Sequence, residues 1–195
     1  YQGYVTGGSG PKFGADVAIA KSRADGGVPW GEHRFDRANV RFQRWSESGQ
    51  TDLFAGYQKK FLGWPNLYTP FNSSESDNLE TTLFALNHRA ELSGGDRWQF
   101  SAYHRRNKDD YAFNRFAPLG PVHPFQHTTW ISGAAANGRV AIGSRAAIAL
   151  RAEFTADELR STSLTFGRYR TRTLAKLAVL PEWSLAGTQG ARWLI

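Results

Sequence analysis

The sequence predicts an all-β chain: an antiparallel up-and-down segment of a transmembrane β-barrel, about eight strands forming a curved open sheet. Three observations carry this. Apolar and polar residues alternate with a period of two in segment after segment, and no stretch holds a 3.6-residue apolar stripe. Short polar turns alternate with long aromatic, proline-bearing connections. The longest unbroken apolar run, Ala146–Leu150, is far shorter than the roughly 20 residues of a spanning helix. Any crossing must therefore be made by strands.

In chain order, Tyr1–Thr6 is strand-like and precedes a glycine-rich turn at Gly7–Gly10. Phe13–Lys21 places Phe13, Ala15, Val17 and Ile19 in one phase, against Gly14, Asp16 and small residues. Arg37–Trp45 sets Ala38, Val40 and Phe42 against Arg37, Asn39, Arg41 and Gln43. Thr51–Phe61 sets Leu53, Ala55 and Tyr57 against Asp52, Gly56, Gln58 and Lys60, with Phe54 the exception. Leu79–Leu92 and Thr128–Ala136 are extended with a less clean phase. Trp98–Arg106 opposes Trp98, Phe100 and Ala102 to Gln99, Ser101 and Arg105. Ala146–Asp157 is the clearest: Ala146, Ile148, Leu150, Ala152, Phe154 and Ala156 form one wholly apolar phase. Thr171–Trp183 opposes Ala175, Leu177, Val179 and Trp183 to Arg172, Lys176 and Glu182. Successive strand side chains point to opposite faces, so each phase is one face.

Short turns are expected at 46–50, 93–97, 137–145 and 186–191, and long connections at 24–33, 64–77, 114–127 and 158–170. In a meander, alternate connections lie at opposite ends, so one end carries turns and the other large loops. That asymmetry separates an outer-membrane barrel, apolar phase towards lipid, from the bland alternative of a soluble β-sandwich or β-helix. Trp45, Trp98 and Trp183 beside short turns, and Phe61, Trp64, Tyr111 and Phe113 beside long loops, fit aromatic girdles. A strand beginning at Arg192–Ile195 would leave both sheet edges open.

Composition narrows the chemistry. With 24 Lys+Arg and 17 Asp+Glu the formal charge is +7, which admits nucleic acid, anionic lipid or an acidic ligand as partner. The absence of cysteine excludes a disulfide framework, a thiolate metal site and a cysteine nucleophile. The chain lacks methionine and begins with Tyr1, so we expect a mature or internal piece of a longer protein. No Gly-x-Ser-x-Gly elbow is present, and Gly7–Lys12 lacks the Gly-Lys-Ser/Thr of a phosphate loop. No enzyme activity and no cofactor are expected. His123 and His127, with Asp109 and Asp110 nearby in sequence, are too loosely spaced in a proline-flanked loop to predict a metal.

Several strings resemble one family. Thr51-Asp-Leu-Phe-Ala-Gly-Tyr-Gln-Lys-Lys-Phe-Leu-Gly-Trp-Pro-Asn-Leu-Tyr-Thr-Pro-Phe71, Asn87-His-Arg89, His104 to Pro118, His127-Thr-Thr-Trp130 and Leu164-Thr-Phe-Gly-Arg168 resemble the barrel of TonB-dependent outer-membrane receptors, near the cobalamin and siderophore transporters. The resemblance implies a 22-stranded barrel filled by an N-terminal plug and located in the Gram-negative outer membrane. It implies energised import of a scarce small-molecule nutrient, driven by the TonB complex through the plug. The 195 residues hold neither plug nor TonB box, so this chain would be one partial barrel domain and the activity would belong to its parent.

Candidate ligand contacts are Trp64, Asn66, Tyr68, Arg106, Asn107, Arg115 and His127: loop aromatics that can stack, and polar groups beside them. The same aromatics could instead pack the loop over the barrel mouth. The charged run Arg105–Asp110 could meet lipopolysaccharide phosphates or simply be a solvated strand end. A soluble basic module binding nucleic acid or polysaccharide would gather its cations on one patch. Here many cations share the polar phase opposite an apolar band, so outer-membrane lipid is expected as partner and nucleic acid is not. A porin-like passive channel differs from an importer only in its open lumen.

Overall fold

The computed structural model describes residues 1–92, 94–120, 124–164 and 169–183. They form one antiparallel sheet of nine strands in sequence order: β1 (Gln2–Ser9), β2 (Phe13–Ala24), β3 (His33–Ser46), β4 (Gly49–Gly63), β5 (Ser76–Glu91), β6 (Arg97–Ala112), β7 (Phe125–Ile142), β8 (Ala146–Ser161) and β9 (Tyr169–Trp183). The described residues include no α-helix, only a single 3₁₀ turn at Gly10–Lys12. β1 and β9 are the edges of the sheet, which does not close.

The strands number nine rather than eight, and they outrun the sequence estimate at several ends. β1 continues through Gly7 and Gly8, which pair with Ala15 and Gly14. β7 runs to Ile142, so the turn expected from residue 137 begins only after it. The expected turn at 186–191 and strand at 192–195 lie outside the described residues. The alternation of connections holds: 10–12, 47–48, 92–96 and 143–145 at one end, 25–32, 64–75, 113–124 and 162–168 at the other.

Register converts strand phases into sheet faces, because directly paired residues share a face. One row crosses all nine strands as Gly7, Ala15, Phe42, Leu53, Leu86, Ala102, Ala134, Phe154 and Ala175. It contains no polar side chain. The next row on the opposite face reads Gly8, Gly14, Gln43, Asp52, Asn87, Ser101, Ala135, Glu153 and Lys176. The same faces are therefore kept by every strand. Towards the long loops the apolar face gives way to an alternating charged row: Lys21, Asp36, Lys59, Glu80, Lys108. Lys21 and Asp36 lie 3.2 Å apart.

The polar face is cross-linked by side chains. Arg41 reaches Asp16 at 2.7 Å, Arg139 reaches Glu182 at 2.8 Å, and Arg172 reaches Asp157 at 2.5 Å. Gln43 donates to Asp52 at 2.6 Å. Aromatic rings cover glycines that would leave gaps in the sheet. A Cβ added at Gly138 would sit 2.5 Å from the Trp98 ring, and one at Gly133 2.4 Å from the Tyr103 ring. Trp45 covers Gly14 in the same way, and Phe54 shields Gly56, which accounts for an aromatic residue in the polar phase of β4.

The hairpin ends step along the sheet. Measured from the apolar row, the last pair lies two residues on at Ser9–Phe13 and eight residues on at Ile142–Ala146. That is six residues over the six strand steps between the two hairpins, or one per strand. With a rise of about 3.4 Å per residue and a strand spacing of about 4.8 Å, the strands tilt by about 35° from the perpendicular to the sheet's long direction.

The described residues enclose no sealed core: only Tyr111 and Ala147 among them are buried apolar residues. Val17, Val40, Leu53, Phe84, Phe154 and Leu177 are between 40% and 78% exposed, all on the apolar face. The chain exposes 13704 Å², against roughly 9,200 Å² for a soluble monomer of its mass.

Candidate functional site

The richest chemistry lies at the long-loop end of the polar face, where β5, β6 and β7 meet the loop 64–75. Glu75 is its keystone. Its fully buried carboxylate accepts from the Tyr68 amide (2.8 Å), the Thr69 amide (3.1 Å), the Thr69 hydroxyl (2.5 Å) and the Tyr111 hydroxyl (2.8 Å). Burial pushes the carboxyl upward, but the hydrogen bonds, that of the Thr69 hydroxyl foremost, outweigh it and hold Glu75 below the ordinary carboxylate range. The loop is thereby closed over the end of β5 and β6.

Neighbouring loops are braced to it. The Trp64 amide donates to the Glu75 carbonyl at 3.0 Å, and the Gly63 amide to the Glu32 carbonyl at 2.8 Å. The Ser74 hydroxyl donates to Asn114 Oδ1 at 2.9 Å, and the Arg115 amide to the Ser74 carbonyl at 3.2 Å. Arg115 pairs with Glu32 at 2.6 Å and lies over the rings of Phe61 and Phe116. Its guanidinium holds Glu32 below the usual carboxylate value. Three long loops are thus joined by the Arg115–Ser74 backbone bond, the Ser74–Asn114 hydrogen bond and the Arg115–Glu32 ion pair, with β4 held to the first loop at Gly63.

Beside this brace is an open recess of about 360 Å³ lined by Tyr68, Thr69, Asp77, Asp109, Tyr111, Phe113, Phe125 and His127. Register explains the gathering. Asp77, Tyr111 and Phe125 share one cross-strand row, and Asp109 and His127 the next row on the same face. Tyr68 meets Tyr111 edge to face at 5.2 Å, Tyr111 stacks near Phe125 at 6.0 Å, and Phe125 on His127 at 6.5 Å. The Tyr68 hydroxyl donates to Asp77 Oδ2 at 3.2 Å. Asp77 is pushed up to about 6, first by burial and then by the charge of Asp109. Burial and the Glu75 carboxylate also raise the Tyr111 hydroxyl.

The expected contact residues divide. Tyr68 and His127 line the recess, and Asn107 lies one row away on the same face, accepting from the Thr81 hydroxyl at 2.6 Å. Trp64 and Asn66 belong to the same loop. Trp64 is about half exposed, and Asn66 accepts from the Asn72 amide at 2.6 Å in a left-handed turn with φ 60°. Arg115 is spent on the loop brace. Arg106 is on the apolar-phase face, paired with Glu80 at 2.9 Å, and does not reach the recess. Asp77 and Phe125 are not among the residues expected from the sequence. Continuing the Asn107 phase of β6 reaches Asp109 and Tyr111, a signal available in the sequence. His123 lies outside the described residues, and among those described no three His, Asp or Glu gather closely enough to hold a metal ion.

Comparison of the chain with protein-family models and with curated proteins returns no match.

Proposed function

We propose that this chain is part of the barrel of a TonB-dependent outer-membrane receptor that imports a scarce nutrient, such as a siderophore–metal complex or cobalamin. The observation that carries the membrane part is the uninterrupted apolar row across nine strands, backed by a polar row on the other face. A soluble sheet needs a second layer over its apolar face, whereas a bilayer supplies that cover itself. The apolar phase of β8 from Ala146 to Ala156 runs about 34 Å along the strand, or about 28 Å in height at a 35° tilt, close to the ~25 Å apolar band and 35–45° tilt of outer-membrane barrels. The charged row above the band would face lipid headgroups and lipopolysaccharide.

The importer rather than a porin-like channel is favoured by the resemblance of the strings at 51–71 and 104–118, and by the braced loops at one end of the polar face. The soluble basic module finds less support, because Arg41, Arg139 and Arg172 of the polar face are paired with carboxylates across strands. Fractionation of cells producing the full-length protein, followed by uptake of ferric siderophores and cobalamin with and without TonB, tests the reading. Outer-membrane recovery with TonB-dependent uptake is expected. TonB-independent uptake would favour the passive channel, and recovery as a detergent-free monomer the soluble module.

A further inference from the structure

We propose that the recess between Asp77 and Asp109 is a binding site for an organic cation, an ammonium or guanidinium group carried by the ligand. The proposal rests on the receptor reading only in taking the polar face as a water-filled interior open at the loop end. Asp77 is 5% exposed and lines the recess, yet its Oδ1 has no hydrogen-bond partner among the described residues. Among the described residues its other oxygen has only the Tyr68 hydroxyl. Asp109 stands one cross-strand row away on the same face, and its charge raises the Asp77 carboxyl. Among the described residues no Lys, Arg or His lies within ion-pair distance of either carboxylate. Lys60 on β4 acts on Asp77 only at longer range, Glu75 is already satisfied by four donors, and His127 Nδ1 is engaged by the Ser161 hydroxyl at 2.6 Å.

A buried carboxylate left without a partner is costly, and two side by side repel. A proton, a metal or an organic cation could relieve them. The described residues offer too few ligands for a metal. A proton neutralises one charge and makes no use of the aromatic walls. An ammonium group does both: it sits against two carboxylates among the rings of Tyr68, Tyr111 and Phe125 that line the recess. The volume, about 360 Å³, lies at the lower end of small-molecule pockets at roughly 300–1,000 Å³. Because the cation displaces the proton that Asp77 holds below about pH 6, binding should tighten as pH rises through that value.

The probe is choline, set against its uncharged carbon isostere and titrated into the intact protein in detergent micelles by ligand-observed NMR. At about pH 8 choline should bind about tenfold or more tightly than the isostere, and near pH 5 the advantage should shrink. Asp77→Asn and Asp109→Asn should each remove most of the preference, Phe125→Leu should weaken choline severalfold, and Arg106→Gln, on the opposite face, should change nothing. Equal binding of choline and isostere, or full preference in both Asp variants, overturns the proposal. Phe125→Leu leaves both carboxylates in place and keeps the test decisive if an Asp variant fails to fold. Heat-modifiable electrophoretic migration, recorded on the same samples, separates the two readings. A barrel without charge preference refutes the cation site alone, and a detergent-free monomer with preference refutes the barrel alone.

Discussion

Ala135 and Ala136 are neighbours of identical size whose side chains point to opposite faces of β7. Ala136 pairs with Phe100 and Ala152, and Ala135 with Ser101 and Glu153. Ala136 lies six residues from Trp130 and six from Ile142 on the same face, about 17 Å in height from each at a 35° tilt, and so near the midplane of the band. Arginine at the lipid-facing midplane of a barrel costs about 2–4 kcal/mol, a roughly 30- to 900-fold loss in the folding constant. Ala135→Arg places a guanidinium beside Glu153 among polar groups and should change stability by about 0.5 kcal/mol or less. Guanidinium unfolding of the protein in liposomes, followed by tryptophan fluorescence, measures both. If Ala136→Arg stays within about 0.5 kcal/mol of the parent, or Ala135→Arg is the costlier change, the assignment of faces is wrong.

Three further outcomes follow from the loop end and the glycine rows. The folded value of Asp77 lies above that of an ordinary carboxyl, so its protonation favours the fold; that contribution is complete below about pH 4, is lost as pH rises through about 6, and amounts to about 1–3 kcal/mol. Asp77→Asn should therefore flatten the stability profile over this window and stabilise the protein at about pH 8, as measured by unfolding at several pH values. Glu75→Ala removes the acceptor of four hydrogen bonds and should make residues 64–75 at least about tenfold more sensitive to limited proteolysis, with strand content unchanged by circular dichroism. Gly138→Val drives a side chain into Trp98 and should cost about 1–3 kcal/mol, most of it recovered in the Trp98→Ala background.

Much of the sheet is readable from local pattern because a strand's phase is written in its own residues. β2, β4 and β8 show this, with their apolar phases at 13–19, 53–57 and 146–156. The strand ends are less readable. Asn137–Gly138 carries a strong turn signal, yet it continues β7 because Trp98 covers the glycine and Asn137 faces Gln99 and Arg151. The recess is half legible. Tyr68 and His127 stand out as an aromatic loop residue and a histidine, but Asp77 meets Asp109 only through the register of β5 on β6, which neither segment states alone. Arg106 and Asn107, adjacent in one strand, could never have faced the same ligand.

The chain contains no cysteine, so any cysteine introduced is unique. Spin labels placed singly from Ile148 to Phe154 on β8, in the protein reconstituted into bilayers, report collisions with lipid-soluble oxygen and with a water-soluble nickel chelate. Labels at Ile148, Leu150, Ala152 and Phe154 should favour oxygen and those at Ala149, Arg151 and Glu153 the chelate, alternating residue by residue. Chelate access at every position, or the opposite phase, would contradict the account.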